Sequence, residues 1–335
     1  MKIKVGVVGY GTIGKRVADA VLLQDDMELV GVTAHSYNYR VAIAAERGIK
    51  IFAVDGERES LEAHGISVAG SFDDLLENVD VVVDATPKKQ GAENKKIYEA
   101  KGVKAIFQGG EKASVADVSF VAQANYSAAL NKQFVRVVSC NTTALTRTIH
   151  ALDQKWGVKR ARATLVRRAM DPAASRGGPL NAIEPTFELP SHHGPDVRTV
   201  LPNVEVFTTA IIAPTTLMHM HVLSVKLEKD AAVEEVIDLF RNTTRVRVIP
   251  VDQKIITTAQ VMELARDLGN KRGDMMEICV WDKGIGIYDD ELFFMQAVHQ
   301  ESDVVPENID AIRAVMGFED AEKSIEMTNK SLGLK

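Results

Sequence analysis

The residue best suited to covalent chemistry in this sequence is a cysteine between a predicted strand and a predicted helix. Cys140 follows Ser139 and precedes Asn141, Thr142 and Thr143, whose amide and hydroxyl groups suit the first turn of a helix. Free N–H groups and the helix dipole favour negative charge at that end, so we expect the pKa of the Cys140 thiol to be lowered. A thiolate is a strong nucleophile, which makes Cys140 the candidate catalytic residue.

The second cysteine is predicted to be structural. Cys279 lies inside the apolar segment 277–281, where a thiol behaves as a small buried hydrophobic group. Two cysteines in 335 residues do not make a disulfide framework, and neither belongs to a Cys-x-x-Cys or Cys/His cluster with zinc spacing. The sequence therefore predicts no metal site and favours a reducing, cytoplasmic compartment.

Paired histidines and paired arginines supply groups for proton transfer and anion binding. His219 and His221 share one face of a predicted strand; His219 is the candidate proton-transfer residue and His221 the structural one. Arg167 and Arg168 face opposite ways on a regular strand. We therefore expect Arg168 to reach the site and Arg167 to face solvent or an interface.

A stretch rich in proline, glycine and histidine, residues 171–202, is predicted to be a long ordered loop. It carries His192 and His193, which such a loop does not place in a core. A metal pair is chemically possible there, but no third ligand stands at a useful spacing.

A glycine motif near the start of the chain is predicted to bind a dinucleotide. Gly9, Gly11 and Gly14 follow a predicted strand directly and open a helix. In that context the first glycine permits a tight turn, the second lets the backbone approach a pyrophosphate, and the third lets helix and strand pack closely. The phosphates would then lie at the helix N-terminus. A glycine-rich turn without a ligand is the alternative.

The end of the second strand bears on which cofactor is used. Residues 30–36 contain no carboxylate to hold a ribose 2′-hydroxyl, whereas Arg40 and Lys15 are basic residues predicted to lie near. We therefore expect NADP to be used at least as well as NAD, the alternative being a more distant acidic residue. Thr86-Pro87 and Gly109-Gly110 end two further strands and are expected to contact the cofactor or to form plain turns.

A thiolate and a nicotinamide together indicate aldehyde oxidation. The thiolate attacks an aldehyde to give a thiohemiacetal, and a base takes the hydroxyl proton as hydride leaves to the nicotinamide. Phosphate, water or another acceptor then cleaves the thioester.

The elements that would position these groups fall into two domains. Residues 1–139 alternate short apolar strands with helices, which predicts an α/β, Rossmann-type doubly wound parallel sheet. Residues 140–304 begin with a helix at 141–156 and continue through longer strands. They are predicted to form an α+β catalytic domain with a mostly antiparallel sheet, including strands at 160–169, 205–213 and 217–227. The helical segment at about 305–335 is expected to pack back on the first domain.

Composition excludes several classes of protein. The net charge is -6 and the pI about 5.8, which argues against a nucleic-acid binder with a basic surface. No run of about 18 apolar residues is present, so no membrane span is expected.

Several motifs together resemble the archaeal-type phosphorylating glyceraldehyde-3-phosphate dehydrogenases. They are the opening glycine motif, Ser-Cys-Asn-Thr-Thr at 139–143, Arg167-Arg168, Ser-His-His-Gly-Pro-Asp at 191–196 and His-Met-His at 219–221. The resemblance covers essentially the whole chain. It implies a homotetramer that uses NAD or NADP and acts on a phosphorylated aldehyde and inorganic phosphate.

The resemblance also implies roles for particular residues. Cys140 would be the nucleophile, and His219 the base that activates the thiol and relays the proton. Substrate contacts would come from Ser139, Cys140, Asn141, His193 and Gly194. Cofactor contacts would come from Thr12, Ile13, Gly110, Arg168 and Gln300, beside the glycines of the opening motif.

Two other functions remain open from the sequence. An acyl-phosphate reductase of the semialdehyde dehydrogenase type would use the same Cys–His chemistry in reverse. A Rossmann-type redox sensor would bind the cofactor without turnover, although the thiol at a helix start and the histidine pairs argue against it.

Overall fold

Two eight-stranded sheets organise the chain, each in its own unit. The computed structural model describes residues 2–54, 56–108, 110–171 and 181–334. One unit comprises Met1–Ser139 with Val305–Gly333, and the other contains Cys140–Val304.

Strands and helices alternate through the first unit, and longer strands dominate the second. Within the described residues, the strands are β1 (Ile3–Val8), β2 (Met27–Ala34), β3 (Ile51–Ala53), β4 (Val68–Ser71), β5 (Val81–Asp84), β6 (Lys104–Gln108), β7 (Val118–Phe120), β8 (Phe134–Val137), β9 (Val158–Arg168), β10 (Glu184–Pro185), β11 (Glu205–Ala213), β12 (His219–Leu227), β13 (Val246–Ile249), β14 (Ile278–Trp281), β15 (Gly286–Tyr288) and β16 (Glu291–Val298). The α-helices are α1 (Gly14–Leu22), α2 (Tyr39–Glu46), α3 (Arg58–Ala63), α4 (Phe72–Leu76), α5 (Gln90–Lys101), α6 (Ala122–Asn125), α7 (Cys140–Trp156), α8 (His193–Val197), α9 (Val233–Asn242), α10 (Thr258–Asp267), α11 (Val305–Val315) and α12 (Ala321–Leu332). None of these helices has the length and apolar character needed to cross a membrane.

The first sheet is parallel throughout, which confirms the predicted doubly wound fold. Its order is β4-β3-β2-β1-β5-β6-β8-β7, and each neighbouring pair is parallel. Val81, Val82 and Val83 in β5 are fully buried, as a central strand covered on both faces requires. The strand order reverses between β1 and β5, and ligands of such sheets bind at that point.

The C-terminal segment adds two helices to the first unit. The sequence predicted one helical segment at about 305–335, but Gly317, at φ 86°, lies between α11 and α12. A residue with this backbone angle ends a helix, and glycine adopts it without a steric penalty. Arg313 of α11 then pairs with Asp26 at 2.8 Å and donates to Gln24 at 2.8 Å, which fastens the helix to the first 139 residues.

The second sheet is mostly antiparallel, as predicted, with two parallel pairs. Its order is β10-β11-β9-β12-β16-β14-β13, with β15 beside β16. The predicted antiparallel relation of the strands at 160–169 and 205–213 is wrong, because β9 and β11 pair in parallel. A parallel pair needs a long crossover, and residues 169–204 provide one. The described part of this predicted loop contains β10 and α8, while residues 172–180 lie outside the described chain.

Helix α7 packs on one face of the second sheet. His219, His221 and Leu223 of β12 are buried, whereas Val222 on the opposite face is 42% exposed. This alternation sends every second side chain of β12 toward one face. Cys140 packs there with the buried side chains of Ala144, Ile278 and Val298.

Candidate active site

A crevice opens in the first unit at the carboxyl ends of β1, β2 and β5. It has a volume of about 630 Å³ and is lined by the turns after these strands, including residues 9–11, 33–36 and 86–87. This is the place where the strand order reverses, so the crevice coincides with the predicted dinucleotide site.

The glycine motif has the geometry that a pyrophosphate requires. Gly9 has φ +90°, and a Cβ there would meet the Thr86 nitrogen at 3.0 Å. A Cβ on Gly14 would lie 1.9 Å from the Gly9 carbonyl oxygen, so close packing excludes any side chain. A Cβ on Gly11 would meet nothing within 4 Å, so this side of its backbone is open to a ligand. Thr12 and Ile13 lie in the turn that opens α1. These residues fit a dinucleotide phosphate group.

The part of the crevice that is expected to hold the adenosine is lined, within the described chain, by basic side chains and by no acidic ones. Among the described residues that line it, none is Asp or Glu, and Arg40 is present whereas Lys15 is not. The Arg40 Nε atom is buried and makes no hydrogen bond to the described residues. Glu57 contacts His35 at 3.9 Å but does not line the crevice. A guanidinium in this setting suits a ribose 2′-phosphate.

Replacing Arg40 tests this cofactor preference by binding alone. Arg40→Met should weaken binding of 2′,5′-ADP by roughly 10- to 100-fold, the loss expected for one charge-assisted hydrogen bond, and leave 5′-AMP binding nearly unchanged. Titration calorimetry measures both. Lys15→Met is the matched control and should change neither. Equal affinities of 2′,5′-ADP for the native chain and Arg40→Met would contradict the assignment, as would a hundredfold native preference for NAD.

Cys140 is the first residue of α7 in the second unit. It is partly exposed, whereas Cys279 is fully buried in β14. Helix α7 is held against α8 by a hydrogen bond from Thr142 Oγ1 to Asp196 Oδ2 at 2.8 Å. The start of α7 therefore has a fixed position relative to the His192–His193 segment.

The predicted lowering of the Cys140 pKa is wrong for the chain without ligands. The pKa of the Cys140 thiol is raised to about 12, chiefly because the sulfur loses water and secondly because Asp303 is near, although Arg168, the Asn141 backbone N–H and Arg167 lower it. The favourable field of a helix end is real but small beside the cost of removing water from a thiolate. The sequence did not reveal the effect of Asp303, because only folding brings this residue near Cys140.

Alkylation kinetics test this direction. In the chain free of ligands, the reaction of Cys140 with iodoacetamide should accelerate about tenfold for each unit of pH between about pH 7 and pH 9, because the thiolate fraction rises tenfold per unit below the pKa. Mass spectrometry of the Cys140 peptide gives the rate, and the buried Cys279 serves as the unreactive internal control. A plateau below pH 8 would show that the pKa is lowered after all.

His219 lies at the start of β12 with one ring nitrogen engaged. The Arg168 backbone N–H donates to His219 Nδ1 at 2.9 Å, so the neutral ring carries its proton on Nε2. Burial lowers the pKa of His219 well below its usual value, and Arg168 lowers it further, with His221, Arg167 and His193 adding to the effect. In this state Nε2 is a hydrogen-bond donor, which differs from the base implied by the family resemblance.

Both arginines act on the site, although only Arg168 was expected there. Arg167 lowers the pKa of Cys140, His193 and His219, and its Nε atom is buried, which corrects the expectation that this side chain simply faces solvent. Arg168 pairs with Asp171. The Nε atoms of both arginines are buried without a hydrogen bond to the described residues. Both residues belong to β9, where they pair with Ile212 and Ala213 of β11.

Asn141 joins two histidines beside the thiol. Its Oδ1 accepts from His221 Nε2 at 2.8 Å, and its Nδ2 lies 3.4 Å from His193 Nε2. His193 Nδ1 contacts Ser191 Oγ at 3.0 Å, and burial lowers the pKa of His193 to about 2, with His192 adding to the effect. Both ring nitrogens of His193 are therefore engaged, which makes it a poor substitute for His219 as a proton carrier.

The remaining predicted contacts are placed as follows. The Gly194 N–H donates to Thr208 Oγ1 at 2.9 Å in the second unit. Gly110 follows β6 and donates its N–H to the Gln108 carbonyl at 2.7 Å, but it does not line the crevice, and Gly109 lies outside the described residues. Gln300 is 6% exposed, and both of its amide atoms are buried without a partner among the described residues. Such an amide is suited to hydrogen bonding with a ligand.

The fold and these groups define a class, the two-domain nicotinamide-dependent dehydrogenases. The C-terminal domain of glyceraldehyde 3-phosphate dehydrogenase matches residues 139–282, and the N-terminus of dihydrodipicolinate reductase matches residues 3–119. With curated relatives from Methanococcoides burtonii and Thermococcus kodakarensis, each named glyceraldehyde-3-phosphate dehydrogenase, the chain is 52% and 55% identical over 99–100% of its length and 99% of theirs. The chain belongs to the glyceraldehyde-3-phosphate dehydrogenase family, an NAD(P)-dependent oxidoreductase family, which confirms the resemblance and the expected cofactor class.

A solved structure extends the comparison at the level of the fold. Aspartate semialdehyde dehydrogenase II from Vibrio cholerae matches with a TM-score of 0.67 at 12% identity, over 94% of this chain and 99% of that one. At this identity the likeness concerns the fold alone.

Proposed function

We propose that this chain oxidises D-glyceraldehyde 3-phosphate with phosphate and NAD or NADP to 1,3-bisphosphoglycerate through a thioester on Cys140, in glycolysis or gluconeogenesis. The observation that carries the proposal is the convergence of Cys140, His219, Arg167 and Arg168 in one unit of a chain 51–55% identical to relatives with this name. A thiol, a proton-bearing ring and two cations are the groups that this reaction needs.

Cys140 performs the covalent step. Its thiolate forms a C–S bond to the aldehyde carbon while the carbonyl π pair moves to oxygen, giving an alkoxide. A bound nicotinamide would supply the hydride acceptor that this oxidation requires, and loss of hydride from the carbon would convert the Cys140 adduct to a thioester. A phosphate oxygen then attacks the thioester carbon, the C–S bond breaks, and Cys140 leaves as thiolate.

His219 stabilises the oxygen on which charge develops. Its Nε2–H is the free donor of the ring, since Nδ1 is taken by the Arg168 N–H. A neutral donor in a desolvated site stabilises an alkoxide without itself losing a proton. We therefore assign His219 to oxyanion stabilisation, a narrower role than the thiol-activating base expected from the resemblance.

Arg167 and Arg168 neutralise phosphate. Their buried Nε atoms have hydrogen-bonding capacity that the described residues do not use. Two guanidinium groups match the charge and geometry of phosphate oxygens. Arg168 was also expected to contact the cofactor, and a position at the end of β9 suits either role. We assign Ser139, Asn141, His193 and Gly194 to the remaining substrate contacts, and Gly9, Gly11, Thr12, Ile13, Gly14, Gly110 and Gln300 to the cofactor.

The outer face of the second sheet supports the homotetramer implied by the family. Phe207, Val222, Phe293 and Met295 lie on that face and are 38–42% exposed. Register places Val222 opposite Met295, so these side chains form neighbouring rows. Arg162, Thr164 and Ser224 lie among them, and a sheet face that exposes large apolar side chains beside polar ones is typical of a subunit interface. Light scattering should give four times the mass of 36.6 kDa.

We also propose that the protein is located in the cytoplasm and that it has no nucleic-acid or membrane partner. Both cysteines are free, and the formal net charge is -6. An unprotected nucleophilic thiol requires a reducing compartment.

A steady-state assay tests the function. Purified protein with glyceraldehyde 3-phosphate, phosphate and NAD or NADP should form the reduced nicotinamide, with a rate that depends on phosphate. Aspartate semialdehyde is the matched comparison substrate for the acyl-phosphate reductase alternative. Turnover of that substrate only would replace the proposal, and no turnover with either would favour the redox sensor.

A further inference from the structure

A chain of buried polar side chains runs from the interior of α7 to the residue after the thiol. Thr148 Oγ1 lies 2.9 Å from Gln296 Oε1, and Gln296 Nε2 lies 3.1 Å from His221 Nδ1. His221 Nε2 lies 2.8 Å from Asn141 Oδ1. Thr148, Gln296 and His221 are 0% exposed, so water does not complete these bonds.

Register explains why the members meet. His221 and Gln296 are directly opposed in the antiparallel pair β12–β16, and both side chains point toward α7. Thr148 and Asn141 lie seven residues apart on α7, two turns along one face of the helix. The chain therefore spans a sheet pair and a helix, and its members come together only in the folded domain.

Each hydrogen bond in this chain sets the direction of the next. The Thr148 hydroxyl lies 2.9 Å from Gln296 Oε1, 3.2 Å from the Ala144 carbonyl oxygen and 3.4 Å from the Leu145 carbonyl oxygen, and we assign its one proton to the nearest acceptor, Gln296 Oε1. The Gln296 amide N–H then faces His221 Nδ1. His221 must then carry its proton on Nε2, where it donates to Asn141 Oδ1. The Asn141 N–H group consequently faces His193 and has a second hydrogen for which the described residues offer no acceptor.

We propose that Gln296 and Thr148 are positioning residues that act through His221 to fix the amide orientation of Asn141, so that an N–H donor and not a carbonyl oxygen is presented beside Cys140. Only the expected effects on kcat/KM rest on the proposed function; the orientation of Asn141 does not. A donor there stabilises negative charge on the substrate, whereas an oxygen repels it. Because the members are buried, a reversed amide has no water with which to compensate.

Replacing Gln296 or Thr148 should lower kcat/KM, although neither side chain is assigned a contact with the substrate. Gln296→Met and Thr148→Val should each reduce kcat/KM, by roughly 10- to 100-fold for Gln296→Met and less for Thr148→Val, with unchanged binding of 2′,5′-ADP. Thr146→Val is the matched control, since Thr146 is equally buried on α7 and its hydroxyl has no partner among the described residues. It should retain full activity.

A double-mutant cycle separates positioning from a general structural effect. In an Asn141→Ala background, Gln296→Met should cost nothing further, because the group it orients is gone. An equal loss in both backgrounds would overturn the proposal, as would native kcat/KM in Gln296→Met or a loss in Thr146→Val as large as in Thr148→Val.

Gln296→Glu should create a pH dependence of opposite sign to that of the native chain. A carboxylate cannot donate, so a neutral His221 must hold its proton on Nδ1, which reverses Asn141. At lower pH, the carboxylate at position 296 and the His221 ring together take up one more proton. His221 Nε2 then donates again, and the Asn141 amide returns to its native orientation. Activity relative to the native chain should therefore fall as pH rises. The other titratable rings around His221 are His219 and His193, and burial lowers the pKa of each.

Long-range ¹H–¹⁵N spectra of histidine-labelled protein read the tautomer without any assay. The His221 signals, assigned by their loss in His221→Gln, should show the proton on Nε2 in the native chain and on Nδ1 in Gln296→Glu at high pH. An unchanged tautomer would overturn the proposal even if the enzyme turns over. If the enzyme does not oxidise glyceraldehyde 3-phosphate, the proposed function fails and the spectra still decide the orientation.

Discussion

Cys140→Ser should abolish the phosphate-dependent oxidation, with kcat reduced roughly 10³-fold or more. A serine hydroxyl has nearly the size of the thiol but ionises far less readily, so the oxygen cannot form the covalent intermediate at a useful rate. Retention of a tenth of the activity would exclude a covalent route through this residue. Mass spectrometry of the native chain quenched during turnover with limiting phosphate should find the acyl group on the Cys140 peptide.

The second cysteine provides the control for this experiment. Cys279 is fully buried in β14, where it packs in a hydrophobic cluster with Ile249 and Trp281, and its Sγ donates to the Glu277 carbonyl oxygen at 3.9 Å. Cys279→Ala removes a sulfur without touching the site. It should lower the melting temperature through lost packing and leave kcat of the folded enzyme unchanged. An acyl group found on Cys279 would show that Cys140 is not the nucleophile.

His219→Asn should depress kcat by roughly 10²- to 10⁴-fold, the range measured when a proton-handling or oxyanion-binding group is lost. The asparagine side chain still reaches the Arg168 N–H, which occupies Nδ1 in the native ring at 2.9 Å, but it offers no donor at the position of Nε2. Binding of 2′,5′-ADP checks that the variant is folded.

Comparing His219→Gln with His219→Asn distinguishes oxyanion stabilisation by His219 from general base catalysis. In His219→Gln the longer side chain can present an N–H near the position of Nε2, yet it cannot accept a proton. If His219 stabilises an oxyanion, His219→Gln should retain at least tenfold more activity than His219→Asn. If the ring is a base, the two variants should be equally impaired, and the tautomer imposed by Arg168 would have to change during the reaction.

The pKa of Cys140 connects these predictions to the pH of the assay. Burial raises it to about 12 in the chain without ligands, so the reactive thiolate is scarce at neutral pH and becomes more abundant as pH rises.

The sequence by itself determined the features that depend on neighbours along the chain. Gly9, Gly11 and Gly14 have a spacing that only a strand–turn–helix junction explains, and Val81 to Val83 form an apolar run typical of a buried parallel strand. Cys140 was recognisable because the residues beside it are those of a helix start. These signals are local, since backbone geometry and capping act over a few residues.

Only the tertiary structure decided the features that depend on residues far apart. The thiol pKa follows from burial and from Asp303, 163 positions away, and it reverses the direction inferred from the helix end. Arg167 lowers the pKa of Cys140 and His219, and β9 pairs in parallel with β11, an arrangement that the long crossover permits. Desolvation and the direction of hydrogen bonds such as that between Gln296 and His221 arise from packing, which no spacing along one strand or helix specifies.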